Sequence, residues 1–312
     1  MFAIAVGVVI GIGLPIQTSI NTRLMRKVGT PYRATLISFA IGTAFLIALT
    51  GVYEHSLAIP FGDIVREPFW IWLGGIFGVV FLTCNIVLMP RLGSVQTVIM
   101  PMLGQIIMGL LIDNFSLFYS PQIRFGLFRG IGAALVLIGA LIIANGKRAE
   151  GEDGRNKLSP RWPWYLLGVI GGMLSSAQTA VNGYLGVVID SRVSAALISF
   201  SVGTLALLIL NAVLGFGHPE TAAAPQKEKK QRDPWWIWLG GVLGALFVFG
   251  NVYLAQVLGT GMTVIVTDIG MMAGGLLVDQ FGLFASERKP ITIAKIAGII
   301  CMACGAAFIH LL

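Results

Sequence analysis

Two long stretches of this chain are versions of each other. Residues 17–43 begin QTSINTRL and end SFAIGT, while residues 178–204 begin QTAVNGYL and end SFSVGT, an offset of 161 positions. A second block, FWIWLGGIFG at 69–78, returns as WWIWLGGVLG at 235–244, an offset of 166. The chain is therefore a fused duplication, and the larger second offset indicates a longer loop in the second copy.

The composition is that of an integral membrane protein. Of 312 residues, 56% are hydrophobic and only 11% are charged, whereas soluble domains carry roughly 25% charged residues. Apolar runs of about 20 residues recur along the whole chain, which is the length that a helix needs to cross a bilayer.

Each copy divides into five apolar segments, so we predict an all-α integral membrane protein with ten transmembrane helices. Because five is odd, the second copy must cross the membrane in the opposite sense, which gives two inverted five-helix repeats. We expect the first repeat at 1–146, a charged cytoplasmic linker at 147–161 and the second repeat at 162–312. The predicted spans are 3–24, 32–53, 69–90, 95–113, 126–146, 163–187, 193–216, 235–256, 260–279 and 291–311.

The basic residues predict an orientation. On the side that the ten-span topology gives to both termini there are four Lys or Arg residues, and on the other side there are the remaining 17 of 21. The positive-inside rule then places both termini outside the cytoplasm. The cations lie in short loops between apolar spans and not on one basic face, so we expect no nucleic-acid partner. The four residues on the terminal side are Arg66, Arg124, Arg129 and Arg192.

The duplicated motifs resemble a known transporter family. QTSIN-x-RL in the first span, SFAIGT in the second and WLGG-x-x-G in the third are similar to the YdcZ-like family of inner-membrane exporters, within the drug/metabolite transporter superfamily. The resemblance covers nearly the whole chain and occurs in both halves. It implies a bacterial inner-membrane location, export of a small molecule, and a relation to five-helix members that pair.

Asp268 is the strongest candidate for a functional residue. It lies near the middle of the predicted ninth span, where a charged Asp costs about 2.5–3.5 kcal/mol on insertion scales. A carboxyl group at this depth that exchanges a proton could couple transport to a proton gradient. The alternative is a neutral Asp that hydrogen-bonds a neighbouring helix. The equivalent residue in the first half is Met102, so coupling through Asp268 would be asymmetric.

Duplicated amides form a second candidate set for substrate or proton binding. Gln17 and Asn21 lie four residues apart and share one face of the first span, and the sixth span repeats the pair. These amides could line a central cavity, or they could hydrogen-bond helix to helix at about 0.6 kcal/mol per bond. For the third symmetric pair, helix packing is the favoured interpretation. The repeated pairs are Gln178 and Asn182, and Asn85 and Asn251.

Two acid–base sets recur near predicted membrane ends. Asp113 with Arg129, and Asp279 with Lys295, could form ion pairs that lock a gate. The simpler interpretation is that the basic side chains extend to the lipid headgroups.

These features predict a secondary active transporter of small metabolites or cationic compounds that works by alternating access and is coupled to protons or another ion. The alternative is a non-transporting accessory or sensor subunit of a membrane complex. We expect no enzymatic activity, because no HExxH motif and no paired-carboxylate constellation occurs within the spans. We also expect no cofactor and no metal. The predicted partners are a small-molecule substrate, a coupling proton and the lipid bilayer, with the chain acting as a monomer or homodimer.

Overall fold

The computed structural model describes residues 2–145, 162–214, 234–286, 288 and 291–311, and within them every regular element is helical. The predicted linker at 147–161 lies outside the described residues, as does the Lys-rich loop before residue 234. The helices are α1 Phe2–Val28, α2 Pro31–Tyr53, α3 Phe61–Ile64, α4 Gly74–Leu92, α5 Ser94–Phe115, α6 Leu127–Asn145, α7 Trp162–Val188, α8 Arg192–Val213, α9 Gly240–Phe281 and α10 Ile293–Leu311.

Seven helical segments in the described ranges are long and apolar enough to cross a membrane. They are α1, α2, α4, α5, α8 and the two limbs of α9, Gly240–Gly259 and Met262–Phe281. The apolar parts of α6 and α10 are shorter, at Leu127–Gly139 and Ile293–Gly305. Helix α7 has 27 residues like α1 but is not among these seven segments. The all-helical membrane architecture is thus confirmed.

Long helices break at the same duplicated glycine in both halves. Gly93 (φ 81°, ψ 172°) separates α4 from α5, and Gly259 (φ 80°, ψ 162°) separates the two limbs of α9. This positive-φ conformation costs glycine little and strains any residue with a Cβ. The Leu-Gly pairs at 92–93 and 258–259 are therefore the points where each half turns sharply from one long helix to the next.

The two tryptophan-rich blocks correct two predicted span boundaries. The third and eighth spans were expected to begin at residues 69 and 235, but the α-helices begin at Gly74 and Gly240. The blocks themselves form 3₁₀ turns, in which Ile71 N donates to Pro68 O at 3.0 Å and Ile237 N donates to Pro234 O at 3.2 Å. Each proline precedes a tight turn that buries one isoleucine, and the α-helix starts only after it.

Glycines bring helices of opposite halves into backbone contact. In α1, a Cβ on Gly11 would overlap Thr267 O and lie 2.9 Å from the Cα of Gly270 in the second limb of α9. In the matching contact, a Cβ on Gly172 of α7 would overlap Pro101 O of α5. Such close crossings maximise dispersion contacts, which drive helix association in lipid. The first helix of each half therefore packs against a helix of the other half, α1 against α9 and α7 against α5, and these contacts join the halves.

The contacts between elements define two ends of the helix bundle. At the Arg23 end, α1 terminates beside the start of α5, and Asp279 near the end of α9 accepts a hydrogen bond from Ser94 N at 3.2 Å. At the Glu54 end, α2 terminates beside the start of α8, where Ser194 Oγ donates to Glu54 at 2.8 Å. Helix α7 ends here as well, so it runs antiparallel to its copy α1.

We predict that Gly11→Leu destabilises the protein, because the new side chain must displace the α9 backbone. Overpacking of this kind costs about 1–3 kcal/mol or more. The matched control is Gly51→Leu, since Gly51 in α2 has open space at its Cβ position. Thermal unfolding in detergent, followed by tryptophan fluorescence, should show a lower Tm for Gly11→Leu only. Equal Tm values for the two variants would contradict the backbone contact.

Candidate functional site

A small cavity of about 10 Å³, with room for about one water molecule, lies in the first half where it meets the second. It is bordered by α1, α4, α5 and the second limb of α9, and its walls are mostly apolar. Two prolines inside helices, Pro15 of α1 and Pro101 of α5, contribute to the wall. A proline removes one backbone hydrogen bond and loosens local helix packing, which leaves room for a cavity. The other lining residues are Leu14, Thr18, Phe81, Asn85, Met89, Ser94, Thr97, Val98 and Met271.

Two polar atoms in this wall have no hydrogen-bond partner in the described part of the chain. Asn85 Oδ1 can accept and Thr97 Oγ1 can both donate and accept, and the two residues are only 3% and 4% exposed. A buried polar group without a partner costs about 1–3 kcal/mol. Because both residues line a cavity, a polar group of a bound molecule could supply the missing hydrogen bonds.

A second, more polar cavity of about 70 Å³ adjoins the first at the Arg23 end. We call it the vestibule. It shares Met89 and Ser94 with the inner cavity, so the two spaces are neighbours along one route into the bundle. Its remaining lining residues are Ser19, Thr22, Arg23, Arg26, Pro90, Gly93, Asp279, Phe284 and Ser286.

Asp268 is completely buried in the second limb of α9. Neither carboxyl oxygen has a hydrogen-bond partner among the described residues. Asp268 does not line either of the two cavities, but Met271, one helical turn further on, lines the inner one. The residue before it, Thr267, presents its carbonyl to Gly11 of α1. The carboxyl group is thus sealed beside the contact between the halves, close to the inner cavity but outside its wall.

The four duplicated amides of α1 and α7 pack against glycines and do not line either cavity. A Cβ on Gly240 would overlap Asn21 Oδ1, and a Cβ on Gly74 would overlap Asn182 Oδ1. The amide nitrogens donate within each half, Asn21 to Ser38 Oγ at 3.2 Å and Asn182 to Ser199 Oγ at 3.1 Å.

Gln17 and Gln178 repeat this arrangement one turn earlier, at Gly244 and Gly78. Because a glycine Cα–H points at each asparagine Oδ1, weak C–H···O contacts take the place of ordinary hydrogen bonds. The geometry favours helix-to-helix packing over substrate contact for these amides.

The third symmetric pair separates into two environments. Asn85 in α4 lines the inner cavity, whereas Asn251 in α9 is buried outside the lining of both cavities. Asn251 Oδ1 also lacks a hydrogen-bond partner within the described ranges. Of this duplicated pair, only Asn85 therefore lies in the candidate site.

The two acid–base sets form ion pairs inside each half. Arg129 Nη1 lies 3.1 Å from Asp113 Oδ2, which joins α6 to α5, and Lys295 Nζ lies 3.4 Å from Asp279 Oδ2, which joins α10 to α9. Neither pair crosses between the halves, so neither must break for the halves to separate. Asp279 reaches across the halves through its other oxygen, which accepts from Ser94 N. A role as gates stays a prediction.

Contacts cross between the halves at both ends of the bundle, and those at the Glu54 end include hydrogen bonds to carboxylates. The Glu54 carboxylate accepts hydrogen bonds from the hydroxyls of Ser191 and Ser194, and Glu67 accepts one from Tyr184 at 2.8 Å. Tyr184 also packs against Trp70, with ring centroids 5.4 Å apart. Two carboxylates of the first half therefore fasten α7 and α8 of the second half at this end.

Comparison with known proteins identifies the family. The family model described as "Putative inner membrane exporter, YdcZ" matches residues 2–142 and again residues 163–308. The chain belongs to this family. The YdcZ unit thus occurs twice in it, as the internal repeats predict.

A curated relative has about half the length of this family member. The chain is 28% identical over 136 residues to "Inner membrane protein YdcZ" of Escherichia coli (strain K12), and the match covers 43% of the chain and 89% of that protein. A solved structure titled "Crystal structure of protein" covers 98% of the chain with a TM-score of 0.59 at 18% identity. At that identity the likeness shows the fold alone.

Sequence reasoning missed several residues that build the cavities of this YdcZ family member. Arg23 and Arg26, which line the vestibule, entered only the count of basic residues on one side, and Glu54 and Glu67, which join the halves at the other end, were not singled out. One signal was available, because Arg23 lies five residues before the end of a span and its copy in the second half is Tyr184. An unmatched charge inside a duplicated helix marks a position where the two halves differ in chemistry.

We predict that Asp113→Asn destabilises the fold, because it leaves the buried guanidinium of Arg129 without its charged partner. Breaking a buried pair from one side costs about 3–5 kcal/mol. Asp63→Asn, at an exposed aspartate, is the control. The double variant Asp113→Asn with Arg129→Met should recover most of the loss in Tm, since no uncompensated charge remains. A double variant as unstable as the single one would show that the pair is not the cause.

Proposed function

We propose that this YdcZ family member is a secondary transporter of small molecules that works by alternating access, built as ten membrane-spanning helices in two inverted five-helix repeats. The antiparallel directions of α1 and α7 support this topology. So do contacts that occur in duplicate, such as Asn21 to Ser38 and Asn182 to Ser199. Because one chain carries both repeats, we propose that a monomer suffices for transport.

The observation that carries this proposal is the difference between the two ends. At the Arg23 end the vestibule of about 70 Å³ adjoins the inner cavity. At the Glu54 end, hydrogen bonds to Glu54 and Glu67 join the halves. The halves also touch at the Arg23 end, where Ser94 meets Asp279 and the guanidinium of Arg91 lies 4.0 Å from the Trp164 ring centroid, so the opening lies beside these contacts. One end accessible and the other fastened is the arrangement that alternating access requires.

The charge distribution supports a cytoplasmic position for the Arg23 end. Arg23, Arg26 and Lys27 lie in the last turns of α1, on the side where 17 of the 21 basic residues were counted. The positive-inside rule places that side in the cytoplasm and both termini outside. A vestibule open to the cytoplasm would admit the substrate from inside the cell, which agrees with export.

We propose that Asp268 carries the coupling proton. An ionised carboxyl group buried without a partner is costly in a membrane, so this conformation suits the protonated form. When the second limb of α9 moves relative to α1, the contact that seals Asp268 would open and the proton could leave through the adjoining inner cavity. Movement of the helix and release of the proton would then be one event.

The coupling role predicts the behaviour of Asp268→Asn. Substrate-evoked currents measured in proteoliposomes on a solid support, over a panel of amines, amino acids and organic acids, should disappear in this variant and persist in Asp63→Asn. The reason is that an amide cannot release the proton. Equal currents in native protein and in Asp268→Asn would retain the transporter and give Asp268 a structural role. Silence from every compound would favour the accessory-subunit alternative.

Alternating access predicts opposite changes at the two ends. In a background without the three native cysteines, Ser286→Cys reports on the vestibule and Val193→Cys, 1% exposed, on the Glu54 end. Adding Glu54→Ala should raise maleimide labelling at Val193→Cys and lower it at Ser286→Cys. The reason is that loss of the Glu54 hydrogen bonds favours opening at that end and closure at the other. Asp63→Ala, at an exposed residue of the loop between α2 and α4, is the control.

A membrane-impermeant maleimide also tests the orientation. Ser286→Cys should react in inside-out vesicles, and Val193→Cys in spheroplasts once Glu54→Ala is present. Labelling that rises at both ends together would indicate local unfolding and would contradict alternating access. Labelling of Ser286→Cys in spheroplasts would place the vestibule outside the cell.

A further inference from the structure

We infer that the substrate is an organic anion, a molecule with a small apolar body and one carboxylate, sulfonate or phosphate group that binds Arg23. This inference rests on the proposed transport function and specifies its substrate class. It departs from the expectation of cationic compounds, which rests on Asp268, because Asp268 lines neither cavity and the charged residues along the vestibule are mostly basic.

The charged residues that line the vestibule are mostly basic. Its lining contains Arg23, Arg26 and Asp279. Asp279 is already engaged at both oxygens, since Ser94 N donates to Oδ1 at 3.2 Å and Lys295 Nζ lies 3.4 Å from Oδ2. The charge of Asp279 is therefore offset by Lys295, and the two arginines leave the vestibule with a net positive field.

Arg23 has hydrogen-bonding capacity that the described residues do not use. Its Nε is buried and has no hydrogen-bond partner in the portion of the chain that is described, and no ion pair of Arg23 occurs there. Its guanidinium instead lies 5.8 Å from the ring centroid of Trp236. A guanidinium beside an aromatic ring, on a residue that lines a polar cavity, carries the planar fork that can bind a carboxylate or sulfonate through two hydrogen bonds.

The position of Arg23 is occupied by a different residue type in the other half. The copy of Arg23 is Tyr184, and the copy of Trp236 is Trp70. Tyr184 packs against Trp70 in the same way, with centroids 5.4 Å apart, but its hydroxyl donates to Glu67. The duplicated fold therefore needs an aromatic contact at this position and not a charge. The charge of Arg23 is an addition at the open end only, and its function lies outside the shared packing.

Beyond Arg23, the vestibule continues to the inner cavity. The vestibule meets the inner cavity at Met89 and Ser94, and the inner wall is formed by side chains such as Leu14, Phe81 and Met271. Asn85 and Thr97 supply the unpartnered polar atoms described above. An anion whose charged group binds Arg23 can thus direct its apolar body toward the inner cavity, which must widen before that body can enter.

The test uses three probes of one shape and three charges: benzenesulfonate, neutral benzenesulfonamide and benzyltrimethylammonium. Calorimetric titration of the purified full chain in detergent should show saturable binding of benzenesulfonate and much weaker binding of the other two. Arg23→Gln should weaken that binding by about tenfold or more, as expected for charged hydrogen bonds. Arg23→Lys, which keeps the charge and loses the fork, should give an intermediate loss. Arg66→Gln, at an exposed arginine of the Glu54 end, should leave affinity unchanged.

Several outcomes would overturn the inference. One is that the cation or the sulfonamide binds as tightly as the sulfonate. Another is that Arg23→Gln keeps the native Tm and binds the sulfonate with unchanged affinity. A third is that the native protein shows no saturable binding of the sulfonate. The titration is repeated in nanodiscs of phosphatidylcholine with and without phosphatidylglycerol. Phosphatidylglycerol retained through Arg23, with no sulfonate bound, would make the site a lipid-headgroup contact. None of these results touches the proposed transport function, which the Glu54→Ala labelling tests without any ligand.

Discussion

The structure depends on glycine backbones that touch across the two halves. Gly11 of α1 lies against Thr267 and Gly270 of α9, and Gly172 of α7 lies against Pro101 of α5. In a bilayer there is no hydrophobic drive for one apolar helix to leave lipid for another, so close packing supplies the association energy. The same contact that joins the halves also buries Asp268, because its neighbour Thr267 forms the crossing. A movement between the halves must therefore change the surroundings of this carboxyl group.

Around this symmetric frame the interior is asymmetric. The positions that hold the frame together match between the halves, as with Asn21 and Asn182 on their glycines. Two positions of proposed function do not match: Arg23 at the vestibule corresponds to Tyr184, and the buried Asp268 corresponds to Met102. A duplicated protein can keep two equivalent conformations by symmetry, so unlike residues at matched positions show where the chemistry of the two halves differs. The distribution of matched and unmatched residues therefore separates the parts that fold the protein from the parts proposed to do its chemistry.

Much of the architecture was predictable because it is encoded locally. Hydrophobic runs of membrane-spanning length predict helices, and most predicted ends lie within a few residues of the observed ones, including α2 at Pro31–Tyr53 and α10 at Ile293–Leu311. The predictions that began spans at the tryptophan blocks were wrong, because a proline is compatible with the start of either a 3₁₀ turn or an α-helix. The residue identities alone do not distinguish the two. Burial of Ile71 and Ile237 against the rest of the fold accompanies the turn.

The candidate site was less predictable, since it depends on which faces meet. The sequence by itself determined that the chain is a duplicated, apolar helical protein with an exceptional carboxyl group at Asp268, because length, repetition and charge are properties of the chain. Only the tertiary structure decided that Gln17 packs on a glycine, that Asn85 and not Asn251 reaches a cavity, and that Arg23 borders the vestibule. Helical periodicity states which residues share a face, but the neighbour of that face is set by packing between distant segments. The site is therefore a property of the assembled halves.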